Sequence, residues 1–269
     1  MNNFIVKNKD NQRIGLLGYP IDLVDLNKAC AICLNNIKNE IPMHIVTINA
    51  EMIMMARNNP ILDNIIGQAD LVIPDGSSIV LSLKLAKISI PRLPGIELAY
   101  KLIELASVNN FGIALIGAKP QTLPVTCANL QKAFPNLNIL TSHNGYFKED
   151  EEETIVTDIA KTKPKIVFVA LGVPRQEYFI NKWRHLFPQA ILIGVGGSFD
   201  VWANTVKRAP KIFCDLHLEW FYRLIKEPWR FSRMASSLPQ FMGIVLASFI
   251  SQPDNTFKIK DFRKNETNG

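Results

Sequence analysis

The sequence predicts an α/β fold with a largely parallel sheet that is covered by helices on both faces. Short apolar segments rich in β-branched residues alternate with segments of helical periodicity along most of the chain. Several of the apolar segments are continuously hydrophobic, which is typical of parallel strands buried on both faces. Polar or glycine-rich turns follow them, and no repeat interrupts the series. Together these patterns favour a Rossmann-like sheet.

The same alternation defines the elements in order. A strand and turn at 14–24 come first, and further strands are predicted at 44–50, 71–74, 111–117, 138–141, 165–172 and 190–197. Helices are predicted at 26–38, 51–58, 61–68, 79–86, 96–107 and 121–134, and two more begin near Lys148 and Pro174. Asp25 is suited to cap the first helix, since a short polar side chain accepts from free backbone N–H groups.

The composition changes after Val206, where the chain becomes basic and aromatic. Residues 206–233 hold seven basic and three acidic side chains, so they carry +4 (7 − 3) of the chain's net charge of +6. Charge this localised favours a dedicated anionic partner, which could be phosphate groups, nucleic acid or an anionic membrane surface. We therefore predict three regions, namely a Rossmann-like α/β domain at 1–205, a basic and aromatic helical appendage at 206–251, and a polar, flexible tail at 252–269.

The cysteines and the apolar runs indicate a reduced, cytoplasmic protein. Cys30 and Cys33 lie three apart in a predicted helix, and no second pair follows, so small core-facing residues are favoured over a redox pair or a zinc site. The N-terminus has no apolar signal core. The longest apolar run, at 241–250, is shorter than the roughly 20 residues that span a bilayer.

Four predicted strands end in polar residues, and ligands of open parallel sheets bind beyond the carboxyl ends of the strands. Thr47 and Asn49 lie two apart, hence on one face of their strand. Asp75 follows a buried strand, where a partly desolvated carboxylate could act as a general base or could simply cap the next helix. The glycine-rich turn at 194–197 could approach a phosphate, or could be a close turn between strand and helix.

Several familiar motifs are missing from the sequence. It contains no Asp-x-Asp clamp for a divalent metal, no phosphate-binding loop with the Gly-Lys-Ser/Thr ending, and no Gly-x-Ser-x-Gly elbow. The four histidines lack ligand spacing. We therefore predict no metal site and no cofactor, and we expect arginines and helix N-termini to stabilise a phosphate leaving group.

Three arginines of the basic segment, Arg223, Arg230 and Arg233, are spaced by seven and three residues, which is close to a helical repeat. Trp220 and Trp229 lie among them. A face of this kind suits a lipid diphosphate or a nucleic acid, but an ordinary amphipathic helix with a solvated basic side has the same pattern.

Taken together, these pieces resemble one family, the WecG/TagA/CpsF glycosyltransferases of bacterial surface-polymer synthesis. The matching stretches run in order through most of the chain. They are Thr-Ile-Asn at 47–49, Pro-Asp-Gly at 74–76, Arg-Leu-Pro-Gly at 92–95, Asn-Gly-Tyr-Phe at 144–147, Gly-Val-Pro-Arg-Gln-Glu at 172–177, Gly-Val-Gly-Gly-Ser-Phe-Asp at 194–200, Lys-Arg-Ala-Pro at 207–210, Leu-Glu-Trp-Phe-Tyr-Arg at 218–223 and Glu-Pro at 227–228, with Arg230 and Arg233. One departure is Asn204, where the family usually has glycine. Asparagine also tolerates a left-handed backbone.

The resemblance implies an activity. Members transfer a sugar from a UDP-sugar to an undecaprenyl-diphosphate-linked sugar, with inversion and without metal, at the inner face of the cell membrane. We expect a peripheral membrane protein whose appendage meets the lipid surface, no nucleic-acid partner, and a possible homo-oligomer. N-acetylmannosamine is the first candidate for the donor sugar, while N-acetylmannosaminuronate, glucose, galactose and glucuronate stay open.

The resemblance also implies roles for individual residues. Asp75 matches the proposed general base, Thr47 and Asn49 match residues lining its pocket, and Arg92 and Gln176 match pocket residues near the donor. The remaining matches concern the diphosphate: the turn with Gly194, Gly196 and Gly197 faces it, and Arg223, Arg230 and Arg233 close over it.

Two other classes of protein compete with this assignment. One is a non-catalytic nucleotide- or nucleic-acid-binding α/β module with a basic arm, which would leave the polar residues at 47, 49 and 75 without a purpose. The other is a nicotinamide-dependent oxidoreductase, whose glycine fingerprint the sequence lacks.

Overall fold

A computed structural model of the chain describes residues 6–7, 12–206 and 231–262. Its nine strands are β1 (Val6–Lys7), β2 (Gln12–Leu16), β3 (Tyr19–Asp22), β4 (Met43–Ile48), β5 (Leu71–Pro74), β6 (Ile113–Gly117), β7 (Ile139–His143), β8 (Ile166–Ala170) and β9 (Ile191–Gly194). Strands β4 to β9 form one sheet in the order β5-β4-β9-β8-β6-β7, and all its described pairings are parallel. The predicted α/β class with a parallel sheet is confirmed.

Helices cover both faces of this sheet. They are α1 (Leu26–Lys38), α2 (Ala50–Arg57), α3 (Pro60–Gly67), α4 (Ser77–Leu85), α5 (Gly95–Asn109), α6 (Thr122–Ala133), α7 (Glu149–Lys161), α8 (Arg175–Trp183), α9 (Ser198–Trp202), α10 (Phe231–Ser251) and α11 (Pro253–Thr256), with a 3₁₀ turn at Arg184–Leu186. Side chains alternate across each strand. Ile45 therefore packs in one core with α1, α5, α6 and α9, whereas Val46 packs in another with α2, α3, α4 and α10.

The connections determine where a crevice can form. The chain leaves β4 for α2 on one face, and it leaves the neighbouring strand β9 for α9 on the other face. Adjacent strands whose connections part in this way open a crevice at their carboxyl ends, which is where open α/β sheets bind ligands. A ligand-binding crevice is therefore expected beside Thr47, Asn49 and the glycine-rich turn.

Helix α1 shows why its two cysteines are inert. Cys30 and Cys33 both point into the core below the sheet. Burial raises the pKa of Cys30 to about 11 and raises the pKa of Cys33 as well, so both thiols stay protonated at neutral pH. The interpretation as small core residues is confirmed.

The N-terminal segment differs from the single strand and turn predicted at 14–24. Strands β1, β2 and β3 form a separate antiparallel sheet. Asp22 at the end of β3 is fully buried; its carboxylate accepts from Arg13 Nε and Nη2, both at 2.7 Å, and from Val72 N at 2.6 Å. This carboxylate fastens the small sheet to edge strand β5 of the large one.

The structure also corrects the flexible tail predicted at 252–269 over its first part. Phe257 and Phe262 are buried, and Lys260 N donates to Gly18 O at 2.8 Å. A Cβ on Gly15 would lie 2.2 Å from the main chain of Lys258, so glycine is required for this close approach. The polar composition of the segment concealed two aromatic residues that insert into the core.

Part of the predicted appendage is described, and part is not. Residues 207–230 lie outside the described part of the chain. Helix α10 follows them and packs on α2 and α4 through the buried side chains of Phe241 and Val245. Among the helices that the structure describes, none is both long enough and apolar enough to cross a membrane.

Candidate active site

Strand order brings the predicted site residues to one edge of the sheet. The carboxyl ends of β5, β4, β9 and β8 are consecutive neighbours. Asp75 follows β5, Thr47 and Asn49 lie at the end of β4, the turn at 194–197 follows β9, and Gln176 follows β8. Since neighbouring strands lie only about 4.8 Å apart, residues separated by more than 140 positions in the sequence share one crevice.

Asp75 is held by the main chain on both sides. Its N–H donates to Ile48 O at 3.0 Å, which extends the pairing of β5 with β4 by one residue. Its carboxylate oxygen Oδ1 accepts from Gly95 N at 3.3 Å. Helix α4 begins after Gly76 without a side-chain cap, so Asp75 is not its cap residue. The N-cap residue of α4 is Gly76, whereas the Asp75 carboxylate accepts from the first residue of α5, and its role as a general base stays a prediction.

Arg92 reaches Asp75 from the segment that returns over the strand ends. Its Nε donates to the main-chain oxygen of Asp75 at 2.6 Å, and its Nη2 lies 3.9 Å from Asp75 Oδ1. Leu93 N donates to Pro74 O at 3.0 Å, which ties the same segment to the end of β5. The Asp75 side chain stays 28% exposed, so the carboxylate is positioned and still accessible.

Thr47 and Asn49 are each in close contact with a glycine. A Cβ on Gly95 would lie 2.7 Å from Thr47 Cγ2, and a Cβ on Gly76 would lie 3.1 Å from Asn49 Cβ. The absence of side chains on these glycines lets β4 approach the Asp75 turn. Asn49 has a second role that the sequence analysis missed, because its Oδ1 accepts from Met52 N at 2.9 Å and caps α2.

Gln176 lies beneath the glycine-rich turn and is only 2% exposed. Its Oε1 accepts from Gly196 N at 3.0 Å, and its Nε2 donates to Glu177 Oε1 at 3.0 Å. Glu177 Oε2 lies 2.8 Å from His44 Nε2 on β4, and both of those side chains are buried. Sequence reasoning missed His44 and Glu177, since a histidine in an apolar strand and an acid in a helix 133 positions apart give no sign of pairing.

Comparison with known proteins identifies the family of the chain. The family model "Glycosyl transferase WecG/TagA/CpsF family" matches residues 14–255. The chain belongs to the WecG/TagA/CpsF family. This assignment makes it a glycosyltransferase, and it confirms the resemblance in the motifs.

Two curated relatives carry the same name, N-acetylglucosaminyldiphosphoundecaprenol N-acetyl-beta-D-mannosaminyltransferase. The protein from Bacillus spizizenii is 39% identical over 220 residues, which cover 81% of this chain and 84% of the relative. The protein from Bacillus subtilis is 37% identical over 203 residues, which cover 75% of this chain and 78% of the relative.

The departure from the WecG/TagA/CpsF pattern at Asn204 has a simple structural account. Its φ is +58°, in the left-handed region that glycine adopts readily and asparagine tolerates. The residue lies just after α9, where Thr205 N bonds back to Asp200 O at 3.0 Å. The substitution therefore keeps the backbone turn that follows the glycine-rich loop.

A second part of the WecG/TagA/CpsF pattern, at 144–147, is held against α8. Arg175 Nη1 donates to Gly145 O at 2.8 Å, and the Arg175 guanidinium lies 4.8 Å from the centre of the Phe147 ring. The contact is a cation–π interaction. Arg175 thereby fastens the loop after β7 to the helix that carries Gln176.

The predicted diphosphate arginines stay predictions. Arg223 and Arg230 lie outside the described residues, and Arg233 lies in the first turn of α10, where only the backbone is described. In the part of the chain that the structure covers, no three His, Cys, Asp or Glu side chains are grouped so that they could hold a metal ion.

Proposed function

We propose that the protein transfers N-acetylmannosamine from its UDP-activated form to N-acetylglucosaminyl-diphospho-undecaprenol, with inversion and without a metal ion. The two relatives are named for this acceptor and this sugar, and they align with most of the chain. The observation that carries the proposal is the Asp75 carboxylate, which is fixed at the carboxyl end of β5 by the N–H of Gly95, the first residue of α5, and stays 28% exposed.

The chemistry requires one displacement at the anomeric carbon of the donor. Asp75 accepts the proton of the acceptor hydroxyl while that oxygen forms the new glycosidic bond. The bond between the anomeric carbon and the donor diphosphate breaks, and UDP leaves with the electron pair. A single attack from the face opposite the leaving group inverts the configuration, and no covalent sugar–enzyme intermediate is needed.

The crevice divides this work between two groups of residues. Thr47, Asn49 and Arg92 surround Asp75 on the acceptor side, where the side chains are only partly buried. The turn at 194–197 and Gln176 form the donor side, where backbone N–H groups are suited to a diphosphate. We propose that Arg223, Arg230 and Arg233 neutralise the charge of the leaving UDP from the appendage.

We also propose that the protein is peripheral on the cytoplasmic face of the membrane. Helix α10 supports this proposal, since Leu246 and Ile250 on it are 45% and 81% exposed. Single exposed apolar residues are common in soluble proteins, so the pair needs a test. Flotation with anionic liposomes should fall when both are changed to serine, and Val108→Ser, which alters an equally exposed apolar residue on α5, should leave it unchanged.

The decisive experiment measures UDP release from a panel of UDP-sugars in the presence and absence of a short-chain polyprenyl-diphosphate-N-acetylglucosamine acceptor. We expect release only with acceptor, fastest with UDP-N-acetylmannosamine, and unchanged by EDTA. Loss of release in EDTA would refute the metal-independent mechanism. No release with any donor would refute the proposed transfer and would favour a nucleotide-binding module, whose affinity for UDP and nucleic acid would then be compared.

A further inference from the structure

A buried chain of hydrogen bonds runs from strand β4 to the glycine-rich turn at 194–197. It begins at His44, passes through Glu177 and Gln176, and ends at the N–H of Gly196. The three side chains are 1%, 0% and 2% exposed, so water cannot replace any link. Burying a carboxylate is costly unless it is paired, and this one has a partner on each oxygen.

The chain of donors and acceptors fixes the orientation of the Gln176 amide. Gly196 N–H can only donate, so it must meet the amide oxygen of Gln176. The Glu177 carboxylate accepts, so it must meet the amide nitrogen. A reversed amide would place Nε2 against an N–H and Oε1 against a carboxylate oxygen. Glu177 therefore selects the one orientation of Gln176 in which its oxygen can hold the turn.

Two glycines of the turn at 194–197 leave room for the contact between Gln176 and Gly196. A Cβ on Gly194 would lie 2.3 Å from Gln176 Nε2 and 2.8 Å from Glu177 Oε1, so a larger residue there would displace the amide. Gly196 has a φ of +50°, and among the described residues no atom lies within 4 Å of the position where its Cβ would be. The turn is thus anchored from below and open above.

We infer that His44 and Glu177 are positioning residues for donor binding, which act by holding Gln176 and through it the Gly196 turn. Neither residue touches the crevice itself, because both are buried beneath it. The inference rests on the proposed function, since it takes the turn to face the diphosphate of a UDP-sugar. It predicts that damage to the buried pair weakens UDP binding and leaves acceptor binding unaffected.

The test compares variants of the full-length protein by calorimetric titration with UDP and by the Michaelis constants for donor and acceptor. Gln176→Ala removes the contact to the turn and should weaken UDP binding about tenfold, the effect of one or two lost hydrogen bonds. Glu177→Leu should weaken UDP binding by the same factor, because the Gln176 amide loses the partner that fixes its orientation. Glu177→Gln should stay within about threefold of wild type, since its amide can still accept from Gln176 and donate to the neutral tautomer of His44.

A matched control separates this role from stability alone. Among the described residues, Asp22 is also a fully buried carboxylate with a basic partner, and it lies away from the crevice. Asp22→Asn should lower the melting temperature and leave both UDP affinity and the Michaelis constants unchanged. If Glu177→Leu fails to fold, Gly194→Ala replaces it, because its Cβ displaces the Gln176 amide, and it crowds Glu177 Oε1 without removing the carboxylate from the core.

The outcomes are distinct. Folded Glu177→Leu or Gly194→Ala protein that binds UDP as tightly as wild type overturns the inference, as does an equal rise of the donor and acceptor constants. The proposed function alone is overturned by a different result. In that case the wild-type protein binds UDP and the variants weaken UDP binding in the expected order, but the wild-type protein shows no acceptor-dependent release of UDP.

Discussion

Asp22 and Asp75 lie at opposite ends of strand β5, and they have different roles. Asp22 accepts from Val72 N near the start of β5 and from two nitrogens of Arg13, and it is fully buried. Asp75 follows the last residue of β5, accepts from Gly95 N, and keeps its side chain 28% exposed. The comparison shows that access of solvent distinguishes a carboxylate that fastens the fold from one that a substrate could reach.

The largest expected effect is on the accessible carboxylate. Asp75→Asn keeps the shape and the acceptor for Gly95 N–H but cannot take a proton. We expect turnover to fall by about 10²- to 10⁴-fold, the usual contribution of a general base. Acceptor-dependent UDP release measures it. Asp158→Asn, which changes an exposed carboxylate of α7 that pairs with Lys161, is the matched control and should retain wild-type turnover.

At the buried carboxylate of Asp22, we expect a loss of stability and no loss of turnover. Asp22→Ala leaves Arg13 and Val72 N without their partner, and breaking a buried pair in this way costs about 3–5 kcal/mol of unfolding free energy. Urea denaturation followed by circular dichroism measures the loss. Turnover per folded molecule should stay normal. A variant that keeps its stability but loses activity would reverse the distinction between the two aspartates.

A smaller effect is expected from a change at Gly95, whose N–H helps to position Asp75. Gly95→Ala should push Thr47 Cγ2, which lies 2.7 Å from the position of the new Cβ, and shift the N–H that Asp75 accepts from. Crowding of this kind costs about 1–3 kcal/mol. Thr47→Ser removes Cγ2 but keeps Cβ, which would lie 3.0 Å from the new methyl group, so the double variant should recover part of the lost stability and turnover. Failure of the second change to restore either would show that the contact does not set the position of Asp75.

The smallest effect concerns the double role of Asn49. Asn49→Ala removes the cap of α2 and should cost about 1 kcal/mol of stability. Asn49→Asp keeps an oxygen for the cap, so it should retain stability. If Asn49 also orients a sugar, the aspartate variant should still raise the Michaelis constant for a substrate. Wild-type constants in Asn49→Asp would assign the residue to the helix cap alone.

The sequence was sufficient for the parallel sheet and for placing the candidate site residues after its strands. Continuous apolar strands and polar residues after them are local patterns, so Thr47, Asp75 and Gln176 could be placed at strand ends before strand order was known. Strand order itself could not be predicted, and it is what brings these residues into one crevice. The position of the Asp75 carboxylate also required the structure, because it depends on a contact with Gly95, the first residue of α5.

Contacts between distant segments explain what was missed. His44 and Glu177 each look ordinary in their own element, and only the packing of α8 on β4 joins them. The packed segment at 252–262 was missed for a similar reason. Its composition is polar, and the space that receives Phe262 is created by Gly67, whose Cβ would lie 2.2 Å from that ring.

The attachment of this last segment has a consequence for synthesis. Gly15 N in β2 donates to Phe257 O, and Leu17 N, just after β2, donates to Thr256 O, so these groups find their partners 242 (257 − 15) and 239 (256 − 17) positions later in the chain. While the protein is being translated, these N–H groups stay open, and an open strand edge attracts other chains. The N-terminal sheet is therefore completed only after the ribosome has released that distant segment. Until then, this part of the N-terminal sheet is an open edge at which the nascent chain can pair with other chains.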